Sequence, residues 1–354
     1  MPSVESTLQN TLPESLHELL GALEDVFVFK NGELHGETTL QKGLTITLDK
    51  DYTLDEKALI ENFDQTNTFT EENLKGADIV RIHVDKGVKV KKPLHIFFSQ
   101  NTKTPKDRLS IVLEEGAELS LFEYLENTEE SAVNYLSNAR IKKGAQLQYT
   151  AVGDTNEKTV SAITRNAWVD GLATANYTLA QFGDGKTAHD TVVELKEPGA
   201  KGNVSIVALT NNKQEVVVKT LVNHLARDTE GHINHLGVAG DQSFLVFEGT
   251  GKIGKGFKRS VARQNNNGLL MSPSARLDAN PFLLIDEFDV EASHGAAIGQ
   301  IDEEQLYYLM SRGLSRKSAE ELIIHGFLAP FKEALNDETI NNHLSALLEK
   351  KTRR

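Results

Sequence analysis

A glycine recurs about every 28 residues through the middle of this chain, and this period constrains the fold more than any other feature. Each glycine lies in a turn between two short segments in which apolar and polar residues alternate, a pattern typical of β-strands. The five glycines, spaced 27 to 29 residues apart, are Gly87, Gly116, Gly144, Gly171 and Gly199. A constant period with strands and no helices indicates a β-solenoid, in which every coil turns tightly at the same place. A large β-sandwich with regular hairpins gives similar local signals, but it would rarely keep such a period.

Helical patterns lie on both sides of this repetitive region. We predict a mainly helical N-terminal region at 1–75, a parallel β-helix core at 76–300 and a C-terminal helical domain at 301–354. Within the first region, Val26–Phe29 is expected to be a strand. In the last, Asp302 and Ser315 are typical N-cap residues, and Gly313 is typical of a position where a helix ends. The expected fold class is therefore mainly β with flanking helical regions.

The charge of the chain excludes some classes of function. The net charge is −13, from 38 basic and 51 acidic residues. Nucleic-acid binding requires a basic face, and an anionic membrane surface would repel an acidic protein, so neither is an expected partner. No apolar run approaches the roughly 18 residues of a membrane span, and no secretory leader is visible, so we expect a cytoplasmic protein.

The 354 residues include no cysteine. This excludes disulfides, thiolate nucleophiles and any cysteine-ligated metal site built from this chain alone. The chain also lacks a phosphate-binding loop, because the glycine-rich segment Gly249–Gly256 does not have the required spacing. We interpret that segment as tight turns of the solenoid.

Residues 291–313 contain the most specific motif of the chain, a polar Ser293–Gly295 turn that leads into a glycine-punctuated segment and a helix. Together with Phe247–Gly249 and the asparagine-rich segment Gln264–Ser272, it resembles the C-terminal signature of the SufB/SufD family, whose members scaffold iron–sulfur cluster assembly. The usual signature has a cysteine directly before Ser-His-Gly, and in this chain that position is Ala292.

The resemblance implies a right-handed parallel β-helix between N- and C-terminal helical regions, in agreement with the glycine period. The absence of cysteine points to the SufD branch of the family. A member of this branch is a non-catalytic scaffold subunit that pairs with a SufB-like paralogue through the β-helix and docks a SufC-like ABC-type ATPase through its C-terminal helices. The resemblance also implies that this chain alone binds no cofactor and that an iron–sulfur cluster is held transiently at the interface. Whether this chain forms a homodimer when the paralogue is absent is left open.

His294 is the candidate metal ligand. A neutral imidazole binds iron, and a histidine beside glycine in a polar turn can face the cysteines of a partner. The resemblance implies that His294 contributes to the nascent cluster site at the SufB interface. The alternative is a hydrogen-bonded histidine that only fixes the junction between the solenoid and the helices. The nearby Asp286, Glu287 and Asp289 are either solvated surface carboxylates or an aid to iron entry.

Two further polar groups have simpler interpretations. The spacing of His224, His232 and His235 does not match a helical zinc motif, so we interpret them as solvated or strand-facing histidines. One of the three consecutive asparagines at 265–267 is expected to stack in a side-chain ladder along the coils.

The C-terminal helices are the candidate docking surface for the ATPase, and the residues expected to contribute are Arg312, Gly313, Leu314, Leu322, Phe327 and Phe331. The alternative is that the apolar members of this set only pack the helices internally. Two other functions fit a β-solenoid: a carbohydrate-active enzyme, which needs convergent carboxylates along a groove, and a purely structural solenoid. The late position of the polar motif argues against the first, and the helical regions at both ends argue against the second.

Overall fold

The computed structural model describes residues 16–30, 33–36, 40–53, 56–57, 74, 76–99, 104–127, 130–333, 335 and 337–352. The helices within these ranges are α1 (His17–Ala22), α2 (Glu303–Ser311), α3 (Arg316–Phe327), α4 (Ala329–Glu333) and α5 (Glu338–Thr352). The strands are β1 (Val26–Lys30), β2 (Glu33–His35), β3 (Leu44–Asp49), β4 (Ile79–Val84), β5 (Leu94–Ser99), β6 (Lys106–Leu113), β7 (Glu118–Asn127), β8 (Ala132–Ile141), β9 (Gln146–Thr155), β10 (Val160–Val169), β11 (Thr174–Gln181), β12 (Lys186–Leu195), β13 (Lys201–Thr210), β14 (Glu215–His224), β15 (Glu230–Ala239), β16 (Phe244–Ile253), β17 (Val261–Leu270), β18 (Arg276–Ile285) and β19 (Glu291–Gln300).

From β4 onward, successive strands alternate between two sheets. The 10-stranded sheet has the order β19-β17-β15-β13-β11-β9-β7-β5-β1-β2, and the 9-stranded sheet has the order β18-β16-β14-β12-β10-β8-β6-β4-β3. Neighbouring strands are parallel except at the first ends of the sheets, where β1 pairs with β2 and β3 pairs with β4 antiparallel. Each coil thus adds one strand to each sheet. The predicted fold class is confirmed: the molecule is a parallel β-solenoid of about seven turns with C-terminal helices.

The interior of the solenoid is filled by alternate residues of both sheets. In β8, for example, Val133, Tyr135, Ala139 and Ile141 are at most 2% exposed and belong to one continuous apolar cluster. Because side chains alternate across a strand and neighbouring strands are in register, each inward position continues as a column along the solenoid. Each buried aliphatic side chain in these columns contributes about 1.5–3 kcal/mol relative to an exposed one.

The glycine turns stack as predicted, with one shift. The left-handed backbone conformation occurs at Gly87, Gly116, Gly144 and Gly199, with φ between 68° and 77°. In the intervening turn it is Leu172, with φ of 58°, and not the predicted Gly171. The Leu172 N–H donates to the Pro198 carbonyl at 3.2 Å, so the stacked backbone hydrogen bonds hold the turn even without glycine. The same column continues beyond the predicted glycines, to Asp228 and Arg259 with φ of 59° and 56°.

The sheets extend into the N-terminal region. The predicted strand at 26–29 is present as β1, which pairs in parallel with β5, and β3 pairs with β4. Much of the remainder of region 1–75 lies outside the described residues, and the boundaries between the three predicted regions stay a prediction.

The C-terminal helices α4 and α5 pack on the outer face of the 10-stranded sheet. Phe331 and Leu344 join an apolar cluster that contains Tyr124 and Val207 of this sheet. The predicted N-caps are confirmed, since Asp302 accepts from backbone N–H groups of α2 and Ser315 from Ser318 of α3. In the part of the chain that the structure describes, no helix has the length and apolar character needed to cross a membrane.

Candidate functional site

The last coil of the solenoid is an open end. β18 pairs only with β16, and β19 only with β17, among the strands that the structure describes. Every residue of β19 is exposed. An edge strand of this kind presents a row of backbone N–H and C=O groups that another chain can pair with.

His294 lies on the inward-facing side of this end strand. In the parallel register it is opposite Gln264 of β17, which is 5% exposed. Because in-register neighbours point to the same side of a sheet, His294 continues an interior column of the solenoid. Its side chain is exposed because no further coil covers it within the described residues. The His294 imidazole therefore stands at the mouth of the solenoid interior.

Gln264 is buried directly beneath this mouth. Its Nε2 donates to the backbone oxygen of Phe282 in β18 at 2.7 Å. A Cβ atom at Gly249 would lie 2.8 Å from Gln264 Oε1, and one at Gly251 would lie 3.2 Å from Nε2, so these glycines leave room for the amide. The interpretation of Gly249–Gly256 as tight turns is thus wrong for its first part, because Gly249 and Gly251 lie inside β16.

A second buried amide beneath the mouth belongs to Asn266. Its Oδ1 lies 2.7 Å from Nδ1 of His235, and its Nδ2 donates to the backbone oxygen of Gly295 at 3.4 Å. The other ring nitrogen of His235 lies 2.9 Å from the Thr220 hydroxyl. Burial lowers the pKa of His235 to about 4, so the ring is neutral at neutral pH. The predicted asparagine stacking therefore takes a different form, since Asn266 bonds a histidine of the preceding coil.

The three histidines of the predicted loose cluster do not form a metal site. His224 is buried, with its Nδ1 2.7 Å from the Thr229 hydroxyl, whereas His232 lies on the outer face beside Glu230. Across the described ranges, no three histidine, aspartate or glutamate side chains come together in a way that could hold a metal ion.

The acidic group ahead of His294 forms a turn between β18 and β19. The Glu287 carboxylate accepts hydrogen bonds from the backbone N–H groups of Gly256 at 2.8 Å and Phe288 at 2.9 Å. These bonds lower the pKa of Glu287 and brace the turn. Asp286 and Asp289 are exposed at its two ends.

An ion pair inside the solenoid was not predicted from the sequence. Arg165 NH2 lies 2.5 Å from Glu123 Oε1, and the two side chains are 3% and 0% exposed. The hydroxyls of Tyr135 and Tyr149 donate to the same carboxylate, and Arg165 NH1 lies 3.0 Å from Nε2 of His189. The available signal was the position of Glu123 between Leu121 and Leu125, which alternation places on the same inward side.

Helices α2 and α3 carry an exposed surface that we name the α2–α3 patch. Its large apolar members, each between 36% and 76% exposed, are Tyr307, Tyr308, Met310, Leu314 and Leu322. Arg312 lies over the Tyr308 ring, 5.2 Å from Cζ to the centroid, and Gly313 with φ of 97° ends α2. The two tyrosines were missed because they fall outside the apolar stripe of the helix.

The remaining two predicted docking residues are placed differently. Phe331 is 5% exposed and packs in the cluster beneath α4 and α5, and Phe327 packs partly against the same cluster. Their side chains hold the helices on the sheet.

This chain matches a known protein family and several relatives. The family model described as SUF system FeS cluster assembly, SufBD core domain, matches residues 97–327, which include most of the solenoid, the open end and α2–α3. The chain is 32% identical to the iron–sulfur cluster assembly protein SufD of Bacillus subtilis strain 168 over 278 residues, 77% of this chain and 64% of that protein.

Two further relatives give the same result. The chain is 29% identical to SufB of the same bacterium over 72% of this chain and 56% of that protein. It is 25% identical to SufD of Escherichia coli strain K12 over 76% of this chain and 65% of that protein. The matches thus span less than two thirds of the length of each relative. From the family match and the solenoid fold together, the chain belongs to the SufB/SufD family of SUF-system iron–sulfur cluster assembly proteins.

Proposed function

We propose that this chain is a non-catalytic, SufD-like scaffold subunit that forms one wall of a transient cluster assembly site, with His294 as an iron ligand. The observation that carries this proposal is the position of His294, inward in register but exposed at the open mouth of the solenoid. An imidazole in this position is accessible to a second protein that covers the mouth. The iron–sulfur cluster is cargo of the resulting complex.

The exposed edges of β18 and β19 support pairing with a SufB-like paralogue. Strand addition at such edges supplies main-chain hydrogen bonds, and exposed apolar side chains supply affinity. Phe282 and Leu284 of β18 and Ile298 of β19 are 41–54% exposed at this end. A second solenoid stacked here would bury these side chains together with the edges.

The partner must supply the sulfur ligands of the cluster. This chain has no cysteine, and Ala292, two residues before His294, takes the place of the cysteine of the family signature. Iron in a nascent cluster is commonly held by thiolates, with imidazole as an alternative ligand. A site with His294 on one side and thiolates on the other therefore needs both subunits, and a homodimer of this chain would lack thiolates. Asp286 and Asp289 are exposed between β18 and β19 at the same end, and we propose that their negative charge attracts iron.

The α2–α3 patch is the proposed docking surface for a SufC-like ATPase. Two adjacent exposed tyrosines and an arginine stacked on one of them have the composition of an interface hot spot. The patch includes four of the six predicted docking residues, namely Arg312, Gly313, Leu314 and Leu322. It also includes Tyr307 and Tyr308, which were not predicted. Arg316 of α3 forms an ion pair with Glu303 of α2, which links the two helices, and a second pair with Glu320 of its own helix.

The test is co-purification of the tagged chain with the SufB-like and SufC-like proteins of the same cell, followed by anaerobic cluster reconstitution. We expect a complex of all three proteins that forms a cluster with a visible absorption spectrum. His294→Ala should leave the complex intact and reduce cluster formation. Full cluster formation by this variant would contradict the assignment of His294.

The docking surface is tested separately. We expect the double substitution Tyr307→Ser and Tyr308→Ser to abolish retention of the ATPase and to leave the SufB-like partner bound. Val160→Thr is the control, because Val160 of β10, at 56% exposure, is an exposed apolar residue outside the α2–α3 patch. Retention of the ATPase by the double variant would contradict this docking surface, and recovery of the wild-type chain without either partner would contradict the scaffold function.

A further inference from the structure

His235 is a buried polar side chain in the interior of the solenoid beneath the open mouth. It is fully buried, and its ring is stacked on Phe247 with centroids 4.8 Å apart and planes inclined by 20°. A neutral histidine in an apolar stack keeps both nitrogens satisfied only when a donor and an acceptor lie in its ring plane. Thr220 and Asn266 lie at its two nitrogens.

The contacts determine the direction of every hydrogen bond in this group. Asn266 Nδ2 faces the Gly295 carbonyl, which can only accept, so Asn266 Oδ1 faces His235 and accepts from its Nδ1–H. The Nε2 atom of the neutral ring then accepts from the Thr220 hydroxyl. All three hydrogen bonds therefore run in one donor-to-acceptor direction. They begin at Thr220 on β14 of the 9-stranded sheet, cross the interior and end at the Gly295 carbonyl on β19.

The last bond of this group reaches the segment that carries His294. Gly295 follows His294 directly in β19, and this strand is paired on one side only. Asn266 is 0% exposed, so packing in the interior holds its amide in place, whereas the residues of β19 are exposed. The interior amide thus restrains the carbonyl next to His294 from beneath.

We propose that Thr220, His235 and Asn266 form a positioning relay that sets the backbone, and hence the imidazole direction, of His294. This inference rests on the proposed function of His294, because a fixed imidazole direction matters only if that imidazole binds a ligand. Buried partners that orient a metal-binding histidine are a general feature of metal sites, where a small displacement weakens ligation. The three residues are positioning residues and do not touch the cluster.

The test compares matched variants of the full chain, first alone and then in the three-protein complex. Asn266→Asp keeps the acceptor for His235 and replaces the donor to Gly295 by a carboxylate oxygen. His235→Asn places an amide donor near the position of Nδ1, whereas His235→Phe keeps a stacked ring without either nitrogen. Thr220→Val is a milder variant that removes only the hydroxyl, and it serves if the others fail to fold.

In the free chain, we expect Asn266→Asp and His235→Phe to raise hydrogen exchange of the β19 amides by about tenfold relative to amides in the middle of the solenoid. They should also shift the imidazole resonances of His294. His235→Asn should leave both readouts closer to those of the original chain than His235→Phe does. Unchanged β19 exchange and unchanged His294 resonances in the folded variants would overturn the relay.

In the complex, we expect Asn266→Asp to alter the cluster spectrum while the subunit composition stays the same. This arm separates the two hypotheses. A normal cluster in His294→Ala overturns the proposed function and, with it, the purpose of the relay. A cluster that is lost in His294→Ala but normal in Asn266→Asp overturns the relay alone.

Discussion

His294 lies one coil beyond Gln264 at the same position of the strand register, yet Gln264 is 5% exposed and His294 is exposed to solvent. The two side chains face the same side of the sheet. They differ because Gln264 is enclosed by the following coil, whereas no coil follows that of His294 within the described residues. The same column thus has a packed side chain along its length and an exposed imidazole at its end.

This difference predicts that substitutions at the two positions have unequal effects on the free energy of unfolding. His294→Ala should change the free energy of unfolding by less than about 0.5 kcal/mol, since an exposed side chain is removed. Gln264→Ala should lower it by roughly 1–3 kcal/mol, because the Phe282 carbonyl loses its donor and a cavity forms. Urea unfolding followed by circular dichroism measures both. A strongly destabilised His294→Ala variant would mean that the imidazole is structural.

The ion pair between Arg165 and Glu123 gives a second prediction. Arg165→Met should lower the free energy of unfolding by about 3–5 kcal/mol, because it leaves the Glu123 carboxylate buried without its positive partner. Lys186→Met is the matched control, since it removes an exposed pair with Glu215 and should cost at most about 1 kcal/mol. Both losses are measured by urea unfolding. If the two substitutions lower the free energy of unfolding equally, the Arg165–Glu123 pair is not shielded from solvent.

Glu126 predicts a dependence of stability on pH. Burial raises its pKa from 4.5 to about 7, and the neighbouring Asp154 carboxylate adds to the shift. Between these values the folded chain holds a proton that the unfolded chain has lost. The contribution of Glu126 to stability is therefore fully present below about pH 4.5 and is lost as the pH rises through 7.

Glu126→Gln should remove this contribution to the pH profile. We expect the variant to be more stable than the original chain at pH 8, by on the order of 3 kcal/mol at most, and to gain little at pH 4.5. Thermal unfolding at a series of pH values measures the difference. Glu215→Gln is the control, because Glu215 is exposed, and a similar gain at pH 8 in this control would contradict the role of burial at Glu126.

Leu172 occupies a turn position where four other coils have glycine in the left-handed conformation. Leu172→Gly should raise the free energy of unfolding by about 1 kcal/mol, because it relieves the clash between Cβ and the backbone. The reverse change, Gly144→Ala, should lower it by about 1–2 kcal/mol, since an added Cβ there meets no atom within 4 Å and only the backbone conformation is strained. Thermal unfolding of both variants measures these changes. A destabilised Leu172→Gly variant would show that the leucine side chain contributes packing.

Lys351 anchors the end of α5 to the solenoid. Its Nζ donates to the Gly183 carbonyl at 2.7 Å and lies 3.1 Å from Asp184 Oδ1, and the residue is 5% exposed. Lys351→Met should increase hydrogen exchange of α5 and lower stability by roughly 1.5–3 kcal/mol. The adjacent exposed Lys350, changed to Met, should leave α5 protected. Equal protection of α5 in both variants would contradict the anchor.

Several elements of this molecule follow from local sequence. The solenoid follows from the glycine period, because every coil must reverse direction at the same place. Asp302 and Ser315 predict helix starts because their side chains satisfy free backbone N–H groups, and Gly313 predicts a helix end because it adopts positive φ without strain. His294 was identified from the family signature and from the polar segment Ser293–Gly295. This segment was predicted to be a turn, and that prediction is wrong, because pairing with β17 makes it part of strand β19.

Other elements depend on contacts between coils. The left-handed position moves from Gly171 to Leu172 because hydrogen bonds to the next coil, here to Pro198, select it. Gly249 and Gly251 lie within β16 and leave room for Gln264 of β17, a contact between the two sheets that the local sequence does not contain. Phe331 packs inward because the 10-stranded sheet lies beneath α4. Neither the helix pattern nor the family signature predicts that α4 packs on this sheet.

The sequence by itself determined the period of the coils and the starts of two C-terminal helices, because turns and caps act over a few neighbouring residues, and the family signature supplied the candidate ligand. Only the tertiary structure decided that His294 stands at the mouth of the interior, that His235 and Asn266 lie beneath it, and that Arg165 meets Glu123. These pairs are separated by tens of residues along the chain. Their contact depends on how one coil stacks on the next, which is set by the register of the whole solenoid.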